Sequence, residues 1–258
     1  MTTPEGSVTP ALRLDSLTKD FDGRLVVNEL SLDIPPGSFY GIVGPNGAGK
    51  TTTLSMATGL LRPTRGHAYV AGIDVWADPP AAKAHMGVLA DEMATFDRLT
   101  GRELLTYTGL LHRLAPDVVD QRCDELLQAL DLGRDGAKQV ADYSAGMRKK
   151  ILLATALIAA PRLLILDEPF ESVDPVSART MREILAAYVD GGGTVVISSH
   201  VMELVETMCD HVAIIHEGRV RAAGTLAEVR GELSLVDRFI ELVGAKHLAE
   251  GSLTWLRS

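Results

Sequence analysis

The chain has 258 residues, of which 46% are apolar and 23% are charged, a balance that is typical of a folded globular protein and excludes an intrinsically disordered one. Its net charge of -9 counts against sequence-independent binding of nucleic acid, because neutralising a phosphate backbone requires clustered Lys and Arg. We therefore expect no nucleic-acid partner.

The cysteines indicate the cellular compartment, and the hydropathy indicates whether the chain crosses a membrane. Cys123 and Cys209 are the only cysteines and form no CxxC pair, so neither a disulfide framework nor a zinc site is indicated, and a reducing, cytoplasmic compartment fits best. No stretch reaches the roughly 18 to 20 uncharged apolar residues that span a bilayer. Residues 1–10 lack the layout of a secretory signal. We expect a chain that does not cross a membrane by itself.

In chain order, the first elements are β-type runs within residues 12–43. They are separated by turn signals at 22–23 and 35–37, and they predict a small sheet that leads into a phosphate loop. Between about 100 and 160 the apolar residues change to helical spacing, which predicts an all-helical insert.

After the insert, short apolar strands alternate with helices. The pattern predicts strands at 163–166, 194–198 and 211–216, and helices at 176–188 and 201–208. This alternation is typical of a parallel sheet. One catalytic domain with two lobes accounts for the whole pattern.

The segment 44–51 reads Gly-Pro-Asn-Gly-Ala-Gly-Lys-Thr and matches G-x-x-x-x-G-K-[ST] between an apolar strand and a helical segment. In such a loop the backbone N–H groups and the helix N-terminus bind phosphate, Lys50 reaches the β- and γ-phosphates, and the Thr51 hydroxyl ligates Mg²⁺. The alternative is a glycine-rich turn with an incidental lysine. By itself the motif indicates only a nucleoside triphosphatase. The predicted nucleotide contacts are Gly44, Pro45, Asn46, Gly47, Ala48, Gly49, Lys50, Thr51 and Thr52.

Two acids, Asp167 and Glu168, follow the hydrophobic run 163–166 and should lie at the carboxyl edge of the sheet, where ligands bind. We expect Asp167 to hold magnesium through water and Glu168 to act as the general base for the attacking water. The alternative is a buried strand that ends in solvated acids.

His200 follows the predicted strand 194–198 and brings a third polar group to the same edge. An imidazole there can accept a proton from water or donate to a γ-phosphate oxygen. The alternative is a polar residue with a purely structural hydrogen bond.

A capped helix start is predicted upstream of the acids. Residues 143–147 read Tyr-Ser-Ala-Gly-Met and precede an apolar helix expected at 148–160, with Asp142 or Ser144 as its cap. This start is either a second anion site or only an N-cap.

In their order along the chain, these motifs resemble the ATPase domains of ABC transporters over nearly the whole length. The resemblance implies an α/β P-loop NTPase fold with a mixed, mainly parallel sheet core, an N-terminal antiparallel β subdomain and an α-helical insert. It implies a single domain over 1–258, with a catalytic lobe at about 11–90 and 161–230, a helical lobe at 91–160 and a C-terminal extension at 231–258.

The resemblance also implies ATP and Mg²⁺ as cofactors and a head-to-tail dimer with two shared sites. In the family, the segment like Ser144 and Gly146 binds the γ-phosphate held by the second chain. Phe21 resembles the aromatic that stacks on adenine, although a core aromatic in an edge strand is the alternative. Asp174 resembles the acid of the D-loop.

Four positions depart from the family pattern. Asp91 stands where a glutamine is usual; its carboxylate can still meet magnesium or the metal's water, but it adds negative charge beside the triphosphate. Ala145 and Met147 differ from the common Leu-Ser-Gly-Gly-Gln signature, and Glu171 stands where the D-loop more often begins with serine. These departures concern the coupling between the two ATP sites of the implied dimer.

Residues 143–147 and the tail 234–242 resemble the stand-alone ATPase subunits of bacterial ABC-2-type exporters for drugs, lipids or other hydrophobic cargo. The implied function is ATP hydrolysis that powers export through a separately encoded permease, at the cytoplasmic side of the membrane. The alternatives are a soluble ABC machine acting on DNA, ribosomes or cofactor assembly, and a binding switch with little turnover. Soluble ABC machines usually have coiled coils, zinc motifs or two ATPase domains, and none of these features is found in this sequence. The presence of both Glu168 and His200 counts against a binding switch with little turnover.

Overall fold

The computed structural model describes residues 9–90 and 96–244. Within these residues the strands are β1 (Leu12–Phe21), β2 (Arg24–Ile34), β3 (Phe39–Val43), β4 (Arg65–Val70), β5 (Ile73–Asp74), β6 (Met86–Leu89), β7 (Leu163–Leu166), β8 (Thr194–Ser199), β9 (His211–His216) and β10 (Arg219–Thr225). The helices are α1 (Lys50–Ala57), α2 (Pro79–Lys83), α3 (Gly101–Leu111), α4 (Pro116–Ala129), α5 (Ala145–Leu157), α6 (Pro175–Asp190), α7 (Met202–Met208), α8 (Leu226–Arg230) and α9 (Leu235–Val243).

The N-terminal strands form an antiparallel sheet in the order β2-β1-β4-β5. The tight turn between β1 and β2 uses Asp22 and Gly23, both with positive φ, as a two-residue hairpin connection requires. Residues 24–34 form one continuous strand, which includes the two short β-type runs at 26–27 and 30–32 that the sequence indicates.

The central sheet has the order β10-β9-β3-β8-β7-β6, in which only β10 is antiparallel to its neighbour. Apart from the edge strand β10, whose residues are exposed or half-buried, its strands are largely buried on both faces and separate two hydrophobic cores, as expected for a mainly parallel sheet. Tyr40 and Ile42 of β3 point to the core shared with α1 and the antiparallel sheet, whereas Phe39 and Val43 point to the helix-covered core. The predicted fold class is confirmed.

Helices α3, α4 and α5 lie between β6 and β7 in the chain, in the predicted position of the helical insert. The predicted boundaries of the last helix are wrong by three residues: it spans Ala145–Leu157 rather than 148–160. Ser144 is the N-cap, and its Oγ accepts a hydrogen bond from the Met147 N–H at 3.2 Å, so the helix begins directly after it.

The C-terminal helices pack on the same molecule. Leu235 of α9 is fully buried in the helix-covered core, and the side chains beside it are partly buried there: Val236, Phe239 and Leu242. Among residues 9–90 and 96–244, no helix combines the length and the apolar character needed to cross a membrane. Cys123 and Cys209 are both buried and free.

Candidate functional site

The predicted phosphate loop connects the fully buried strand β3 to α1. Gly49 is the N-cap of α1 and has a φ of 101°, and a Cβ at this position would lie 2.9 Å from Val26 O. Glycine is therefore needed both for the left-handed backbone and for the close approach of β2. The loop is closed by the Ala48 N–H, which donates to Pro45 O at 3.1 Å, and it leads into the N-terminus of an eight-residue helix.

Lys50 is the first residue of α1 and is only 6% exposed, so its ammonium needs partners inside the protein. Its Nζ donates to Gly44 O at 2.7 Å and lies 3.4 Å from Pro45 O. Glu168 Oε1 is 3.6 Å from the same nitrogen. The lysine side chain therefore folds back across the loop toward the end of β7.

The two acids lie directly after β7. Asp167 is 3% exposed, and its backbone N–H donates to Leu89 O of β6 at 2.7 Å. Ser198 of β8 donates its hydroxyl proton to Asp167 Oδ1, and its Oγ accepts from the Glu168 N–H at 2.9 Å. The strand end thus fixes the two neighbouring acids through one serine.

Glu168 Oε1 is the point where three of the predicted residues meet. His200 follows β8, and its Nδ1 lies 3.1 Å from this oxygen, while Lys50 approaches from the side of β3. The Glu168 side chain is 12% exposed and that of His200 is 41% exposed. The Glu168 carboxylate therefore faces the buried ammonium of Lys50 on one side and the partly exposed imidazole of His200 on the other. Solvent can reach the carboxylate on the side of His200.

The donor set fits a magnesium-bound nucleoside triphosphate. Mg²⁺ is commonly held by one or two carboxylates together with substrate phosphates. The site offers the buried carboxylate of Asp167, next to the Glu168 that approaches Lys50, and Thr51 is exposed beside Lys50 in α1. Across the described ranges, no group of three or more His, Cys, Asp and Glu side chains could hold a metal alone. A metal here would be held jointly by the protein and a phosphate ligand.

Phe21 lies at the end of β1 and is 44% exposed. It is not a core aromatic, and β1 is not an edge strand, because β1 pairs with β2 on one side and β4 on the other. Lys19 Nζ lies 5.0 Å from the centroid of the Phe21 ring. The ring therefore presents an accessible apolar face.

Ser144 and Gly146 lie at the N-terminus of α5, the helix whose Lys149 side chain reaches Glu168 O. Ser144 is exposed, and Gly146 lies against the turn 172–174, where an added Cβ would be 3.8 Å from Ser172 O. Asp174 caps α6 by accepting from the Ser177 and Val176 N–H groups. A hydrogen bond from the Ser177 side chain, followed by those from the two N–H groups, holds the pKa of its carboxyl below the usual value. Among the described contacts, none joins Ser144 or Gly146 to the phosphate loop of the same chain.

Sequence reasoning missed Ser198, the last residue of the predicted strand 194–198, which we used only to define that strand. The signal that could have found it is a pair of serines closing an otherwise apolar buried strand. It also missed Lys149, whose Nζ donates to Glu168 O at 3.1 Å. Asp91, predicted to contact nucleotide and metal, lies outside the described residues.

Comparison with known proteins gives a consistent result. Residues 27–171 match the family described as ABC transporter. The daunorubicin/doxorubicin resistance ATP-binding protein DrrA of Streptomyces peucetius is 36% identical over 225 residues, which cover 87% of this chain and 68% of the relative. The linearmycin resistance ATP-binding protein LnrL of Bacillus subtilis (strain 168) is 32% identical over 96% of this chain and 79% of its own length.

Two further similarities extend this result. ABC transporter A family member 4 of Arabidopsis thaliana is 34% identical over 88% of this chain, which corresponds to 25% of that longer protein. A solved structure described as the ATP binding subunit of an ABC transporter superposes with a TM-score of 0.85 at 27% identity, covering 90% of this chain and 99% of the other.

Proposed function

This chain belongs to the ABC transporter family, in which it is an ATP-binding and ATP-hydrolysing subunit, and from that membership we propose that it powers export through a separately encoded membrane permease. Its ATP sites are shared across a head-to-tail dimer, and it works at the cytoplasmic face of the membrane. The cargo is a drug-like or other hydrophobic molecule.

The direction of transport is supported by the relatives. DrrA and LnrL are both named as resistance ATP-binding proteins, and the two names refer to different antibiotics. Export is the transport direction that gives resistance. The similar solved structure is that of an ATP binding subunit, which supports a partner chain, and the resemblance to stand-alone exporter ATPases supplies the permease as that partner.

The observation that carries the catalytic proposal is the position of Glu168 Oε1, 3.1 Å from His200 Nδ1 and 3.6 Å from Lys50 Nζ. Glu168 orients and deprotonates the attacking water, and His200 links this carboxylate to the γ-phosphate. When ATP binds, the Lys50 ammonium moves from the loop carbonyls to the β- and γ-phosphates. Their negative charge then takes the place of Glu168 Oε1 as the partner of the ammonium.

The other ligand contacts follow from the same loop. The backbone of 44–52 cradles the phosphates, and Thr51 with Asp167 holds Mg²⁺, which neutralises charge on the phosphates when bound. Asp91 is proposed to contact the metal's water. Phe21 stacks on the adenine, since its exposed ring offers the apolar face that a base requires.

The dimer proposal rests on two elements that are expected to bind phosphate and that no described contact joins within the chain. Ser144 is exposed at the N-terminus of α5 and makes no described contact with the phosphate loop of its own chain. With Gly146 and the neighbouring acid Asp174, it is placed to close the site of a second chain. We also propose the division into a catalytic lobe at 11–90 and 161–230, a helical lobe at 91–160 and an extension at 231–258.

The steady-state turnover of a Glu168→Gln variant tests the catalytic proposal. We expect a loss of about 10²- to 10⁴-fold, as removal of a general base typically causes. Binding of a fluorescent ATP analogue should change little, because Lys50, Thr51 and Asp167 are unaltered. Turnover by phosphate release and binding by fluorescence titration are measured on the same preparation.

Glu203→Gln is the matched control, because Glu203 is an exposed carboxylate in the first turn of α7, three residues after His200. It should keep the wild-type rate within about twofold, since surface substitutions away from a site are usually neutral. If Glu168→Gln hydrolyses ATP as fast as this control, Glu168 is not the base.

A further inference from the structure

Ser198 is a hydroxyl inside a strand that is buried on both faces. It lies in β8 opposite Ile42 of β3 and has no exposed surface. An unpaired hydroxyl in such a place is costly, so its hydrogen-bonding capacity should be used. Both of its roles are indeed used on two consecutive residues: it donates to Asp167 Oδ1 and accepts from the Glu168 N–H at 2.9 Å.

The second of these bonds lies at a backbone position of high energy. Glu168 has a φ of 44°, in the left-handed region that non-glycine residues rarely occupy. Its peptide groups are held on both sides: the N–H by Ser198, and the carbonyl oxygen by Lys149 Nζ at 3.1 Å and the Glu171 N–H at 3.2 Å. These contacts direct the chain out of β7 and aim the Glu168 side chain at Lys50 and His200.

We propose that Ser198 is a positioning residue that holds the Asp167 carboxylate and the Glu168 peptide in a fixed relative position, so that the metal ligand and the general base act at a fixed separation. The inference rests on the proposed roles of these two acids. One hydroxyl couples the two acids because it donates to the Asp167 carboxylate and accepts from the Glu168 N–H. The first bond restricts rotation of the Asp167 carboxylate, and the second holds the unusual Glu168 backbone.

Removing the hydroxyl should therefore lower both kcat and the gain in nucleotide affinity that Mg²⁺ gives. A simple packing defect would not affect these two properties together. Ser198→Ala leaves a buried carboxylate oxygen and a buried N–H unpaired, and we expect kcat to fall about 10- to 100-fold. The KM for ATP should change by less than about threefold. The gain in affinity for a fluorescent ADP analogue on addition of Mg²⁺ should shrink, because the Asp167 carboxylate is no longer oriented.

The matched control is Ser38→Ala. Ser38 is also buried, and its Oγ donates to Pro35 O at 2.7 Å at the opposite edge of the same sheet. It should lower Tm by a similar amount and leave kcat and the Mg²⁺ response within about twofold of wild type. This comparison separates loss of a buried hydroxyl in general from loss of this one.

A second pair keeps the test decisive if Ser198→Ala is unstable. Ser198→Thr and Ser198→Val add the same volume to β8, and both are β-branched residues that suit a strand, but only threonine retains the hydroxyl. Measured at a temperature well below both Tm values, threonine should keep at least a third of the wild-type kcat and valine should lose it as alanine does. Equal kcat values and equal Mg²⁺ responses in the two variants would overturn the inference.

The Glu168→Gln variant distinguishes the two possible failures. If it keeps the wild-type rate, the proposed role of Glu168 fails, and the role of Ser198 fails with it. If Glu168→Gln is inactive while Ser198→Ala and Ser198→Val turn over like Ser38→Ala, the catalytic proposal stands and the role of Ser198 is wrong.

Discussion

At the residue scale, the phosphate-loop lysine illustrates what sequence reasoning can predict and where it stops. The motif and its strand-loop-helix setting predict that Lys50 faces an anion. They do not predict its present partners, Gly44 O, Pro45 O and Glu168 Oε1, because two of these are backbone atoms and the third is 118 positions away. A buried ammonium must find such partners, but which ones depends on the folded geometry.

Phe21 gives a prediction at the same scale. Its ring is exposed, so Phe21→Ala should raise the KM for ATP about tenfold through lost stacking on adenine, while kcat stays nearly constant. Tm without nucleotide should change little, because the residue is not part of either core. Steady-state kinetics and thermal melts give these quantities.

Leu25→Ala is the control for Phe21, since Leu25 is 46% exposed and pairs with Asp20 in the same hairpin. It should leave KM unchanged. Equal KM values for the two variants, or a large loss of Tm in Phe21→Ala alone, would count against adenine stacking.

At the element scale, the β9–β10 turn supports the phosphate loop. Gly218 donates its N–H to Ala48 O at 3.0 Å and accepts from the Asn28 N–H at 2.9 Å, so the turn joins the loop to β2. Its φ is 71°, and an added Cβ would lie 2.4 Å from Val26 O. Because that neighbour is backbone, a larger residue must displace either β2 or the turn.

We therefore predict that Gly218→Ala weakens ATP binding about tenfold, because the shifted turn takes the phosphate loop with it. Gly37→Ala is the control: its φ is 73°, and no atom lies within 4 Å of the added Cβ. It carries only the cost of a left-handed alanine, about 1 kcal/mol, and should bind ATP normally. Fluorescence titration would contradict the support role if both variants had the wild-type Kd.

The same scale shows which boundaries the sequence could predict. The strands at 163–166 and 211–216 have the predicted limits, because continuous apolar runs end sharply at charged residues or turns. Helix α5 begins three residues early, because Ala145 and Gly146 carry no apolar periodicity and only the Ser144 cap defines the start. Ser198 was missed because its function depends on the side-by-side pairing of β7 and β8.

At the scale of the whole molecule, the central sheet brings together residues that are distant in the chain. The phosphate loop, the two acids and His200 follow β3, β7 and β8, which are adjacent in the order β3-β8-β7. The alternation of strands and helices predicts a parallel sheet, but this strand order cannot be derived from it, because several orders satisfy the same alternation. The sheet order places the three groups at one edge, and among the described contacts none joins Ser144 or Gly146 to the phosphate loop.

The lack of any described contact between Ser144 or Gly146 and the phosphate loop underlies the central claim, that ATP is hydrolysed in a site completed by a second chain. The most direct test is the molar mass of the Glu168→Gln variant, measured by size-exclusion chromatography with light scattering in the presence of Mg²⁺ and either ATP or ADP. We predict a dimer with ATP and a monomer with ADP, because blocked hydrolysis keeps the γ-phosphate between the phosphate loop of one chain and Ser144 of the other. Adding Ser144→Arg should return the protein to a monomer while fluorescent ATP still binds. A Glu168→Gln protein that remains monomeric with saturating ATP, both alone and together with its permease, would contradict the shared site.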